Sequence, residues 1–361
     1  MPEDRGMMPI AATRSEVAAQ PEVLARVLAD LDDQVRSLAG TLVQRGVNLV
    51  LASGSGDSWF AAQAVRLAWE QYAGVPFEAL QAYEYASYGR PSIDAHTAHF
   101  LISSSGRPTT TWDALDRALQ TPAYVVGVTD NPAPDNPFVA RPPVALVPGA
   151  HKVGWPAQTT TATIAVLISL AIAFGEARGY LTADDAARLA AQLRALPEQV
   201  ADVLARNEAW ATRVAAQFGD QRVYLLVGSG PSYAVAQTGS ALLAEGPQEI
   251  GLPLTAEEFH HGLRIGTVQH GEAVILIAPA GAAQARCRDT ARSVRAWGGT
   301  LIPLVAGETA DILDGSGLGL VLPDVDESLS PLLTLPPLHA LSIALAEQKV
   351  AAGYRRPATV P

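Results

Sequence analysis

Asn48-Leu49-Val50-Leu51-Ala52-Ser53-Gly54-Ser55-Gly56-Asp57-Ser58-Trp59-Phe60-Ala61-Ala62-Gln63 decides the fold. A short apolar run enters a glycine-serine loop, and the loop opens into an Ala-rich helical pattern, so the stretch reads as strand, loop and helix. The same order returns at Val223-Tyr224-Leu225-Leu226-Val227, followed by Gly228-Ser229-Gly230-Pro231-Ser232-Tyr233-Ala234-Val235-Ala236-Gln237. Gly, Ser, Gly, Ser, an aromatic residue, Ala and Gln recur in register without a gap. Two copies of one supersecondary unit imply a repeated architecture.

Reading outward from the first copy, Glu16 to Arg45 has the pattern of a helix that Gly46 stops, and the helix after the loop covers 58–72. Apolar runs follow at Phe77–Leu80 and His99–Ile102, then a helix at 109–120 and strands at Tyr124–Val128 and Val144–Val147, separated by a Pro/Asn/Asp-rich loop. A long helix over 157–176 and two more at 183–195 and 198–217 join the halves. After the second copy come a helix at 232–245, strands at 273–278, 300–305 and 319–322, and helices at 283–297 and 333–350. Strands alternating with helices predict an α/β fold with parallel sheets and right-handed crossovers. The boundaries expected are a helical segment 1–46, a first domain 47–180, a helical bridge 181–220, a second domain 221–350 and a tail 351–361.

The chain has 361 residues, enough for two domains of about 150–180 residues, each with its own core. Apolar residues make up 48% and charged residues 17%, as in soluble globular proteins. A net charge of −11 argues against nucleic acid or an anionic membrane surface as partner. Backbone amides and hydroxyls can still hold a small anion. The lone Cys287 rules out an internal disulfide or a Cys-based metal cluster, which fits a reducing cytoplasm. Met1 to Ile10 lacks the apolar core of a signal peptide, and Thr163–Phe174 is too short to span a bilayer and reads as a buried helix. Basic residues are almost all Arg, and the only lysines are Lys152 and Lys349.

In an open α/β sheet, ligands bind beyond the carboxyl ends of the strands, where helix N-termini present N–H groups. Gly56-Asp57-Ser58 stands there after one strand. Ser103-Ser104-Ser105-Gly106 stands there after another, with Thr109, Thr110 and Thr111 opening the next helix. Hydroxyls and amides on two loops of one sheet suit a phosphomonoester, although N-caps and turns use the same residue types. Neither loop is a Walker A or a dinucleotide fingerprint. The second half has Ala278-Pro279-Ala280-Gly281 in place of the serines. It carries instead Glu245 and Thr255-Ala256-Glu257-Glu258-Phe259-His260-His261-Gly262. A carboxylate and an imidazole are what a 1,2-proton shift and sugar ring opening require. His260-His261 also fits a surface pair, and its spacing does not suit a metal.

These residues together resemble the sugar isomerase (SIS) domain family in its double-domain form, typified by the isomerase half of glucosamine-6-phosphate synthase and including amino-sugar phosphate deaminases and fructosamine phosphate deglycases. The resemblance covers nearly the whole chain. Glu16-Val17-Ala18-Ala19-Gln20-Pro21 resembles the family's Glu-Ile-x-Glu-Gln-Pro helix. Gly56-Asp57-Ser58 and Ser103–Gly106 resemble its phosphate loops. Glu258-Phe259-His260-His261-Gly262 resembles its Glu-Phe-Arg-His-Gly-Pro signature, with Leu263 in place of Pro.

The resemblance implies two flavodoxin-like or Rossmann-like parallel-sheet SIS domains in tandem, each a three-layer αβα sandwich. Gly56, Ser58, Ser103, Ser104, Ser105, Thr109 and Thr110 would hold a sugar phosphate, Glu245 would move the proton between C1 and C2, and His261 would assist ring opening from a neighbouring subunit. That arrangement implies a homodimer with shared active sites, no cofactor and no metal. The family's tail lysine has no counterpart in Tyr354–Thr359, so Lys152 is a candidate to approach the site from another loop, and Arg107 a candidate to meet the phosphate. The expectation is an isomerase unit working without a glutaminase domain, with glutamine not the ammonia source. The activity implied is phosphosugar isomerisation or deamination in the cytoplasm. A sugar-phosphate sensor without turnover is the alternative.

Overall fold

The computed structural model describes residues 9–90, 92–107, 110–268 and 271–353. It divides into two compact units. One comprises Gln20–His151 and Gln158–Glu198, and the other the stretch ending at Ala19, Lys152–Ala157 and the stretch from Gln199 onward. Each contains one five-stranded, wholly parallel sheet.

The chain begins with α1 (Ile10–Ala18), α2 (Gln20–Asp30) and α3 (Asp32–Gln44). One helix was expected over 16–45, but single residues, Ala19 and Leu31, interrupt it. Pro21 supplies the first break, because a ring nitrogen without an N–H is tolerated only in the first turn of a helix. β1 (Leu49–Gly54), α4 (Asp57–Ala68), β2 (Phe77–Gln81), α5 (Ala82–Tyr88), β3 (Thr97–Ile102), α6 (Thr110–Leu119), β4 (Tyr124–Val128), α7 (Pro137–Ala140), β5 (Val144–Leu146) and α8 (Gln158–Ala177) follow. The strand order is β2-β1-β3-β4-β5. Chain order therefore reverses at β1 and β3, the switch point where a crevice opens between neighbouring strand ends.

Strand alternation builds the layers of the β1–β5 unit. Phe100 on β3 turns to one face, where its ring meets Trp69, which also meets Phe77 and Phe174. Leu101, the next residue, turns to the other and joins Tyr85, Leu115 and Phe138. Burying each such side chain stabilises the unit by about 1.5–3 kcal/mol. α8 has mean hydropathy 1.7 over its most apolar window, 78% of which is buried, so its apolar surface is used in packing against α2, α3 and α4.

α9 (Ala183–Phe218) is one helix where two were expected. Pro197 lies inside it and removes one intrahelical hydrogen bond without ending the helix. β6 (Val223–Gly228), α10 (Pro231–Glu245), β7 (Ile250–Thr255), α11 (Ala256–Glu258), α12 (Arg264–Thr267), β8 (Ala273–Ala278), α13 (Gln284–Ala296), β9 (Thr300–Val305), β10 (Leu320–Val321) and α14 (Pro331–Ala351) complete the chain. The sheet order β7-β6-β8-β9-β10 repeats the first topology. Leu225 and Val227 face the α13 side with Cys287 and Val294. Leu226 faces the other way, where a Cβ on Gly239 of α10 would lie 2.6 Å from Leu226 and 2.8 Å from Leu338 of α14.

β7 has no counterpart in the sequence reading. Gly251 and Pro253 disguise it, since both are poor strand formers. The edge position accommodates a proline. Gly251 permits close packing: a Cβ there would lie 2.6 Å from the Ser240 backbone, and the Ser240 hydroxyl donates to the Gly251 carbonyl at 2.7 Å.

Candidate active site

The two loops expected to hold an anion lie at the carboxyl ends of β1 and β3, neighbours at the switch point. Gly56 caps α4 with φ 56° and ψ −129°, a conformation open to glycine, which turns the chain so that Asp57 and Ser58 begin the helix. The loop is tight: the Ser58 amide donates to the Ser55 carbonyl at 3.2 Å and the Trp59 amide to the Gly56 carbonyl at 3.0 Å. Ser58 is buried in the first helical turn, Gly56 is exposed, and the Thr160 hydroxyl of α8 donates to Asp57 at 3.2 Å. Ser55 and Thr111 approach to 3.5 Å, so the first loop meets the start of α6.

The serine loop is fixed from below. The Ser103 amide donates to the Val128 carbonyl at 2.9 Å and the Asp130 amide to the Ser104 carbonyl at 3.0 Å. The Ser104 hydroxyl donates to Asp130 at 2.7 Å, and the Arg107 amide donates to the Ser105 hydroxyl at 3.3 Å. Gly106 has φ 63°, and a Cβ there would collide with Asn136. Ser103 is buried, Ser104 half-buried, and Ser105, Arg107 and Thr110 are exposed. The structure thus gathers Gly56, Ser58, Ser103, Ser104, Ser105 and Thr110 onto adjacent strand and helix ends of one sheet. Thr109 lies outside the described residues.

Asp130 was not among the expected site residues. It is buried, accepts the Ala150 amide at 3.0 Å as well as the Ser104 hydroxyl, and has its pKa pushed up to about 6. Burial is the main cause, opposed by those two hydrogen bonds and reinforced by the charge of Asp57. Its sequence signal was a polar Thr129-Asp130-Asn131 directly after an apolar strand. Beneath the crevice, His99 lies fully buried with Nε2 2.8 Å from the Ser53 hydroxyl and its ring edge-on to Tyr85. Burial lowers its pKa to about 3, so it stays neutral.

The β6–β10 unit repeats the loop geometry but fills it differently. Gly230 caps α10 with φ 53° and ψ −129°, the twin of Gly56. At the neighbouring strand end, Ala278–Gly281 brings no hydroxyl. There the Glu327 carboxylate accepts the Ala282 amide at 2.8 Å and stands where a Cβ on Gly281 would collide with it. One of its oxygens lies 3.8 Å from where a Cβ of Gly230 would be. A carboxylate of the chain itself therefore occupies the second crevice.

Glu245 is the last residue of α10 and is exposed, with Gly246 directly after it. His261 lies in the turn after β7, where Gly262 adopts φ 108°, and its Nε2 is 3.1 Å from Glu257. Glu257 also pairs with Arg286 at 2.5 Å. His260 points elsewhere, with Nε2 3.2 Å from Thr290 and Nδ1 3.1 Å from Arg264, and burial followed by the charges of Arg286 and Arg264 lowers its pKa. Of the lysines, Lys349 donates to the Pro247 carbonyl at 2.7 Å and pairs with buried Glu249. Lys152 is exposed, at the start of a loop that belongs to the unit of Glu245.

No family profile matches the chain. Over 294 residues it is 26% identical to the glutamine–fructose-6-phosphate aminotransferase (isomerizing) of Gloeobacter violaceus, covering 81% of this chain and 48% of that protein. Over 344 residues it is 27% identical to the enzyme of the same name from Pseudomonas syringae pv. tomato, covering 92% and 55%. The chain thus spans about half the length of the curated relatives it matches. Its fold matches the C-terminal domain of glucosamine-fructose-6-phosphate aminotransferase from Francisella tularensis, with a TM-score of 0.86, 19% identity and coverage of 94% and 96%. This chain has the tandem SIS-domain fold. The same SIS fold is found in glucosamine-6-phosphate deaminase from Thermotoga maritima, TM-score 0.72, 17% identity, coverage 94% and 95%. It recurs in tagatose-6-phosphate ketose/aldose isomerase from Escherichia coli, TM-score 0.73, 18% identity, coverage 93% and 92%.

Proposed function

We propose that this protein is a cytoplasmic phosphosugar isomerase or deaminase acting on a ketose or amino-sugar 6-phosphate. The observation that carries the reading is the pair of hydroxyl-bearing loops, Gly56–Ser58 and Ser103–Ser105, at adjacent strand ends of a switch point. The hydroxyls of buried Ser58 and Ser103 are donors suited to a phosphate. The names of the relatives and of the structures sharing the fold support the same substrate class.

The chemistry proposed for the protein is a proton shift. The Glu245 carboxylate takes the proton from the carbon beside the carbonyl, the freed electron pair forms the new carbon–carbon double bond, and the carbonyl pair moves onto its oxygen, giving an enediolate or its amino counterpart. The proton of the neighbouring hydroxyl or amine passes to that oxygen, and Glu245 returns its proton to the former carbonyl carbon. His261 serves ring opening in a homodimer whose sites are shared between chains. Its exposure, 66% of the side chain, leaves it available for that contact. In the deaminase variant the same shift leaves an imine at C2; water adds to that carbon, its oxygen becomes the C2 carbonyl oxygen, and the nitrogen departs as ammonia.

The test is nuclear magnetic resonance in D₂O with fructose 6-phosphate, with and without ammonium, and with glucosamine 6-phosphate. Deuterium entering C1 or C2 with wild type and not with Glu245→Gln supports the proposal. Binding of both sugars without exchange overturns it in favour of a sensor.

A further inference from the structure

The loop Lys152–Ala157 is held by its backbone to a single buried carboxylate. The amides of Val153 and Gly154 both donate to Glu16 of α1, the latter at 3.2 Å, and Glu16 is only 5% exposed. The Trp155 amide donates to the Thr13 hydroxyl at 3.1 Å, one helical turn before Glu16. Gly154 is indispensable to this fit, since a Cβ there would collide with Thr13. From Trp155 the loop reaches α14 and the C-terminal end of α10. Its indole N–H donates to Ser342 of α14 at 3.0 Å, and its ring packs so close to α10 that a Cβ on Gly246 would lie 3.0 Å from it. Gly246 is the residue after Glu245. Lys152 precedes Trp155 by three residues, at most about 10 Å of extended chain.

Resting on the isomerase reading above, we infer that Glu16 is a positioning residue that, through this loop, sets Lys152 beside Glu245, and that Lys152 is a further catalytic residue. When Glu245 removes the proton from carbon, the electron pair moves through the new double bond to the neighbouring oxygen. The Lys152 ammonium donates a hydrogen bond to that oxygen and stabilises its charge, keeping its own proton throughout. An ammonium placed in advance where negative charge develops acts mainly on the transition state. The two-lysine composition fits the assignment. Lys349 is held in its pair with Glu249, and Lys152 is the amine on the loop beside α10. Glu16 opened the stretch that suggested the family, yet its spacing gave no role. The structure assigns it one.

The experiment uses the full chain and two readouts. A water-soluble carbodiimide joins amines to carboxylates in direct contact, and peptide mapping locates the bond. A Lys152–Glu245 link in wild type that falls at least about fivefold in Glu16→Ala supports the placement, while the Lys349–Glu249 link stays as an internal control. Absence of the Lys152–Glu245 link in wild type, or its survival in Glu16→Ala, overturns it. The second readout is steady-state deuterium exchange with fructose 6-phosphate. Lys152→Ala is expected to lower kcat at least about tenfold with KM within threefold, the signature of an interaction made in the transition state. Glu16→Ala gives the same split with the lysine still present, and Glu16→Gln, which keeps one acceptor oxygen, falls between. Exchange that disappears in Glu245→Gln but is unchanged in Lys152→Ala overturns this inference and leaves the isomerase reading standing. Exchange absent in wild type overturns the isomerase reading and the catalytic role of Lys152 together, and the cross-link then decides the clamp alone.

Discussion

Ser104 gives its hydroxyl proton to Asp130, Oγ to Oδ2 at 2.7 Å, directly after the third strand of the first sheet. An ionised Asp130 thus holds a proton that Ser104 would otherwise offer to a phosphate, and adds a like charge near it. Burial raises the Asp130 pKa from 3.8 to about 6. Below pH 6 the carboxyl is neutral, the hydrogen bond can reverse, and Ser104 is free to donate outward. Sugar-phosphate affinity of wild type relative to Asp130→Asn is therefore expected to fall about three- to tenfold between pH 5 and 7.5. Comparing the two proteins cancels the titration of the phosphate itself, and calorimetry across that range checks the ratio. The stability term follows the same sign: the folded value is raised, so this contribution is complete below 3.8 and is lost as pH rises through about 6.

His99 and His339 act in the opposite sense. Each is fully buried, and burial lowers each from 6.5 to about 3. The unfolded chain takes up protons near 6.5 while the folded one refuses them, so stability is present above 6.5 and lost as pH falls toward 3. The slope is about 1.4 kcal/mol per pH unit for each histidine. Urea midpoints at pH 7.5 and 4.5 test this: His339→Leu should lose markedly less stability than wild type on acidification. An equal loss refutes the assignment.

Gly56 and Gly230 share one backbone conformation and differ in what they face. At Gly56 a Cβ meets nothing within 4 Å, so replacement by Ala costs only conformational strain, about 1–3 kcal/mol. Gly230→Ala is expected to cost a similar amount in denaturant unfolding. Only Gly56→Ala should weaken sugar-phosphate binding, and equal weakening in both would speak against the first crevice as the site.

Glu327→Ala removes the acceptor of the Ala282 amide and leaves the second crevice without its carboxylate. The expected loss is about 1–3 kcal/mol of stability, with Glu327→Gln losing less. Formate should recover part of the loss in Glu327→Ala, whereas chloride at the same ionic strength should not. Thermal unfolding in the two salts makes the comparison.

The repeated Gly-Ser-Gly stretch was enough to read the two sheets, because a strand leading into a glycine turn and a helix is a local pattern. What escaped was set by distant neighbours. β7 was hidden by Gly251 and Pro253, residues acceptable only because the strand lies at an edge and packs tightly on Ser240. Pro197 looked like a break, yet α9 continues through it. In the candidate site, the serines were legible as hydroxyls after strands. Asp130 became visible only when the structure buried it under Ser104, and Glu16 only when α1 met the loop at 152–157. Glu327 had no motif at all, since its meaning comes from the amide it meets at the far end of the domain.

The carboxylate of Glu327 also governs how binding is to be counted. Two crevices of one topology invite a stoichiometry of two phosphates per chain. One of them is already supplied from within, by a group that cannot diffuse away and whose local concentration no metabolite matches. A binding isotherm normalised to chain concentration should level off at one. Any fractional value then reports on pairs of chains rather than on the second crevice.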